Sequence, residues 1–65
     1  MRVESIRSIA LTQAQAAMAV GLSEREIRRA IAAGEIEVHY RGRRALVDVD
    51  DLRAWFKALP TERPH

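Results

Sequence analysis

With 65 residues the chain has room for one domain and one modest core, and a domain of this size buries only about 60% of the surface its unfolded form exposes. It contains no cysteine, which excludes a disulfide framework or a thiolate zinc site as reinforcement and leaves an economical core or a partner to supply stability. The formal charge is only +2, but the basic residues are ten arginines and a single lysine and the pI is 9.9; arginine's planar fork suits phosphate and guanine, so the bias favours a nucleic-acid partner, with a GC-rich genome as the competing source of the same composition.

Residues 1–10 are the least readable stretch. Val3, Ile6 and Ile9 recur every three residues, while Ser5 and Ser8 lower helix propensity. A short helix, an added edge strand and a mobile arm all fit, and the plainest reading is a frayed terminus. If ordered, three aliphatics in ten residues are expected to meet another subunit rather than water. Glu4 and Arg7 interrupt any apolar run, so nothing here reads as a secretory signal. Nor does any stretch approach the ~20 apolar residues of a membrane span. A cytoplasmic protein is expected.

The stretch LTQAQAAMAVGLSEREIRRAIAAG, residues 11–34, carries most of the information. Thr12 precedes Gln15 by three places and Ser23 precedes Glu26 by three. Each pair has capping-box spacing, in which the hydroxyl accepts from an early helical N–H and the longer side chain reaches back to the cap's own N–H. Two helix starts so close together, with Gly21 between them, predict a helix–turn–helix. The first helix is expected from about Gln13 to Ala19. Its buried side comprises Ala16, Ala17 and Val20, with Leu11 ahead of the cap and Gln15 and Met18 outward. Small alanines let a second helix approach closely.

The second helix follows Ser23 and ends before Gly34, which suits the position past a helix end where φ > 0 is needed. Placing Ile27 at the centre of the buried stripe puts Ala30 and Ile31 beside it. Arg25 and Arg29 then fall nearly opposite, with Arg28 on the flank. Folding gives that face no reason to be arginine-rich. A solvated face with a Glu24–Arg28 pair is the bland explanation; after a helix–turn–helix corner, DNA is the favoured one.

From Glu35 to Tyr40 the pattern alternates, Ile36, Val38 and Tyr40 on one side and Glu35, Glu37 and His39 on the other, as in a half-buried strand. Arg41-Gly42-Arg43-Arg44 supplies a turn and Ala45-Leu46-Val47 returns, making a hairpin. Edge-strand protection explains some charge there, but three arginines around one glycine exceed that need and suggest a wing against DNA. Asp48 caps a last helix, expected from about Val49 to Leu59, with Asp50 and Asp51 complementing the dipole of its first turn. Leu52, Trp55, Phe56 and Leu59 form its core-facing stripe. Pro60 stops it, and Thr61 to His65 is expected to be a disordered tail. The chain thus divides into an arm (1–10), a DNA-binding domain (11–59) and a tail (60–65).

No enzyme is expected. His39 and His65 are far apart, so no His-based relay or metal set is visible. Asp48, Asp50 and Asp51 are explained as helix-start acids without a cation. No cofactor and no metal is implied.

Taken together, Leu11-Thr12, Ala16-Ala17, Gly21-Leu22-Ser23, Gly34-Glu35-Ile36, the basic run from Arg41 to Arg44 and Asp51-Leu52 followed by Trp55 resemble the small winged helix–turn–helix proteins of the excisionase group, relatives of the MerR DNA-binding domain. One departure is Gln15, where that group usually has glutamate. The resemblance implies a mainly α fold with a small β-hairpin, in the order helix, helix, hairpin, helix. It further implies a phage recombination directionality factor that binds repeats beside an attachment site, bends the DNA and helps a tyrosine integrase excise a prophage while disfavouring integration. Cooperative self-association on DNA is part of that expectation. By position, Arg25, Arg28 and Arg29 would enter the major groove with Ser23 and Glu24 near backbone or bases, and Arg41, Gly42, Arg43 and Arg44 would form the wing. Two other roles stay open: a small transcription regulator of the same fold, and an adaptor whose basic face meets an acidic protein.

Overall fold

The computed structural model describes residues 8–63, so Val3 and Ile6 lie outside the described residues. Three helices and a three-stranded antiparallel sheet follow in the order β1 (Ala10–Thr12), α1 (Gln13–Val20), α2 (Glu24–Ala32), β2 (Val38–Arg41), β3 (Arg44–Asp48) and α3 (Val49–Lys57). This is the architecture of a winged helix–turn–helix domain.

Local chemistry sets the boundaries of each helix. At α1, Thr12 Oγ1 accepts from the Gln15 amide at 3.1 Å and Gln15 Oε1 accepts from the Thr12 amide at 3.0 Å, a complete capping box. Its far end closes on Gly21, φ 76°, with the Leu22 amide donating to the Ala17 carbonyl and the Gly21 amide to that of Met18. That hydrogen-bond pair is a Schellman motif, which needs a left-handed residue at the position glycine holds. Gly34, φ 79°, repeats the device after α2: the Glu35 amide donates to Ala30 and the Gly34 amide to Ile31.

The second capping box is only half formed. Ser23 Oγ accepts from the Glu26 amide at 3.2 Å, but the Glu26 carboxylate accepts from the Ser23 hydroxyl at 3.3 Å rather than from the backbone N–H. A hydroxyl can donate and accept at once, so both bonds share one oxygen.

The sheet order is β1-β3-β2. Of the three readings open for the N-terminal stretch, the added edge strand describes its last residue, Ala10, together with Leu11 and Thr12, which pair with Asp48, Val47 and Leu46. Leu11, Val47 and Val38 are register neighbours across the three strands and share the face toward the helices. Val47 is fully buried, and Leu11 and Val38 pack against the core. That core consists of Ala16, Ala17, Ile27, Ala30, Ile36, Val47 and Leu52. It is small because two of its helices meet through alanine.

Three expectations need correction. The strand after Gly34 begins at Val38, not Glu35, since the helix exit occupies Gly34 and Glu35; Ile36 is nonetheless buried. Tyr40 shares the face of Val38 but is 68% exposed, because the hairpin projects beyond the helices that would cover it. α3 ends at Lys57 rather than Leu59; Pro60 restricts the residue before it to extended backbone, so the helix stops short. Its stripe is also split. Leu52 is buried, Trp55 and Leu59 are partly covered, and Phe56 is 50% exposed. A nine-residue helix on so small a core seats one side chain centrally and leaves its flanking aromatics at the edges.

Candidate nucleic-acid interface

The helix–turn–helix corner is built by Ala16 and Ala17 of α1 packing with Ile27 and Ala30 of α2, all four buried. With Ile27 held inward, the 100° advance per residue carries Arg25 and Arg29 to the far side and Arg28 to a flank. All three are exposed, as are Ser23 and Glu24. Glu24 Oε2 lies 3.2 Å from an Arg28 guanidinium nitrogen, both side chains about half exposed. An exposed i,i+4 pair of this kind contributes only about 0.3–0.5 kcal/mol, too little to hold Arg28 away from a phosphate or base.

Arg29 has a second neighbourhood. It borders a cleft between α2 and α3 with Glu26, Ala30, Glu35, Trp55 and Leu59. Across this cleft the Trp55 indole N–H donates to Glu35 Oε1 at 3.0 Å. The bond ties α3 to the exit of α2, and twenty residues separate its partners. Nothing in the local pattern points from Trp55 to Glu35. The one available signal is that a partly buried indole needs an acceptor, which leaves Glu26, Glu35 and Glu37 equally eligible.

In the ribbon, β2 and β3 pair so that Arg41 stands opposite Arg44, and Gly42-Arg43 forms the two-residue loop. Gly42 has φ 61° and Arg43 has negative φ, the pattern of a type II′ turn, whose first central residue is normally glycine. Like charges directly opposite each other destabilise a strand pair. Among the described residues no carboxylate lies within ion-pair distance of Arg41, Arg43 or Arg44. Three exposed guanidinium groups therefore crowd one ribbon end at a cost to folding that an anion would relieve. Arg41 and Arg44 share the sheet face of His39 and Leu46, away from the core side.

Among the described residues no three His, Asp or Glu side chains are placed to hold a metal ion, and no helix is long and apolar enough to cross a membrane. Asp48 acts locally: its Oδ1 accepts from the amides of Asp50 at 2.8 Å and Asp51 at 3.0 Å, capping α3.

A protein-family model described as a helix-turn-helix domain matches residues 10–60, from the first residue of β1 to just past α3. No curated protein matches the chain. Fold and family model agree on the corner between α1 and α2, and the chain belongs to the helix-turn-helix domain family as a sequence-specific binder of double-stranded DNA.

Proposed function

We propose that the protein is an excisionase: an architectural DNA binder that occupies adjacent repeats beside a prophage attachment site, bends them, and assists a tyrosine integrase in excision while disfavouring integration. In this reading Arg25, Arg28 and Arg29 enter the major groove, Ser23 and Glu24 lie at its edge, and Arg41, Gly42, Arg43 and Arg44 hold an adjacent groove or backbone. The observation that carries the DNA contact is the crowding of guanidinium groups at the ribbon end, with a second arginine set on the exposed side of α2. The excisionase role rests on the resemblance of the combined motif set.

Bending a short site costs about 1–6 kcal/mol, so an architectural protein gains from neighbours that share that cost. Binding to closely spaced repeats is accordingly cooperative, and the bend appears in circular-permutation gels. The deciding assay is recombination by a tyrosine integrase on attachment-site DNA, with and without the protein: excision rises and integration falls. Independent footprints on unbent DNA with no effect on recombination favour the transcription regulator. A salt-insensitive interaction with DNA favours the adaptor, since phosphate contacts release counterions.

A further inference from the structure

Tyr40 serves neither the core nor the arginine set of the ribbon. It is 68% exposed, although it shares a sheet face with Val38, which packs against the core. Its neighbours on the ribbon are small. Ala45 stands opposite it, and Gly42, the next position along its own face, has no side chain. The face it occupies decides what it can meet. Val47 of β3 and Ile27 and Ala30 of α2 belong to one buried cluster, so α2 lies on the side of the sheet that Tyr40 faces. Arg41 and Arg44 project from the opposite side. A duplex that meets the exposed surface of α2 and the ribbon together runs along the helix side of the sheet. There it meets Tyr40 directly, while Arg41 and Arg44 reach its phosphates from beyond the ribbon edge.

We propose that Tyr40 is a contact to the DNA backbone, its ring packed against a deoxyribose and its hydroxyl donating to the adjoining phosphate. This rests on the reading of α2 and the ribbon as DNA-binding surfaces. The chemistry suits the place. A tyrosine is apolar along its ring and polar at its tip, and the backbone offers an apolar sugar beside a phosphate oxygen that accepts. Such a contact positions the protein and carries no sequence information, so its loss weakens binding to any duplex. Strand propensity is the competing reason for a tyrosine in a ribbon. It predicts an effect on folding and none on DNA affinity.

Tyr40 is the single tyrosine of the chain, so fluorotyrosine incorporated into the full chain gives one fluorine resonance that reports this side chain. When a short duplex of mixed sequence is added at low salt, that resonance is expected to move. It also loses most of its solvent isotope shift between light and heavy water, because the ring leaves solvent. Tyr40→Ala lowers affinity for the duplex about tenfold and Tyr40→Phe about threefold. A fluorine signal that keeps its position and its isotope shift with the duplex bound overturns the proposal. So does a Tyr40→Ala variant of unchanged affinity, whatever its melting temperature. Replacing Arg41, Arg43 and Arg44 with alanine in the same assay tells that failure from failure of the underlying reading: lost affinity leaves a ribbon that binds DNA without Tyr40, and full affinity removes the ribbon altogether.

Discussion

Arg28 and Arg29 show how neighbouring arginines can carry unequal work. Arg28 has a partial partner in Glu24, whereas Arg29 borders the α2–α3 cleft. Neither supports the core, so Arg28→Ala or Arg29→Ala should leave the melting curve within about 0.5 kcal/mol of the parent. Whichever side chain reads a guanine should weaken specific DNA binding by ~1–3 kcal/mol on truncation. Titration on specific and scrambled duplexes checks this; equal loss on both identifies a phosphate contact. Asp48 is the opposite kind of residue. Its carboxylate satisfies two amides at the start of α3, and Asp48→Ala should reduce stability by about 0.5–2 kcal/mol in a denaturant melt without a comparable effect on DNA affinity.

The secondary-structure elements differ in how they tolerate change. The corner between α1 and α2 depends on Ile27, which is fully buried between alanines. Ile27→Ala should cost ~2–5 kcal/mol, enough to unfold much of the population of so small a domain at physiological temperature and detectable by circular dichroism. The ribbon is different. An added Cβ at Gly42 meets nothing within 4 Å, but φ is +61° there, so Gly42→Ala is strained by backbone alone, by about 1 kcal/mol. That strain falls on the hairpin, not the core. The expected outcome is a modest fall in melting temperature with a larger fall in DNA affinity; an unchanged affinity would remove the ribbon from the interface.

For the molecule as a whole, segregation of charge matters more than its total. Six arginines fall between Arg25 and Arg44 against Glu26, Glu35 and Glu37, and Asp48, Asp50 and Asp51 follow them, so a net charge of +2 conceals a basic stretch followed by an acidic one. The slope of log K against log salt should be about −0.9 for each phosphate neutralised. Replacing Arg41, Arg43 and Arg44 together with alanine should flatten that slope in proportion to the phosphates the ribbon neutralises. The same replacement removes the Arg41–Arg44 repulsion and should slightly stabilise the free protein. Affinity measured over a series of salt concentrations, with a melt of each variant, reads both effects.

Short-range features were legible in the chain itself. The caps at Thr12, Ser23 and Asp48, the glycines at 21, 34 and 42, and the inward set Ala16, Ala17, Ile27 and Ala30 depend on hydrogen bonds and side-chain periodicities spanning a few residues, and each is recognisable from its neighbours. The arginine faces of α2 and the ribbon were legible as patterns for the same reason. Other features required the folded molecule. That Ala10–Thr12 completes the sheet beside β3, that Trp55 finds Glu35 rather than another acid, that Tyr40 and Phe56 stay exposed, and that Ile9 meets Val49 all depend on which distant segments become neighbours. The seven side chains buried in the core among the described residues cannot cover every apolar residue a periodicity nominates. Which ones remain outside is set by the limited volume between three short helices and one small sheet.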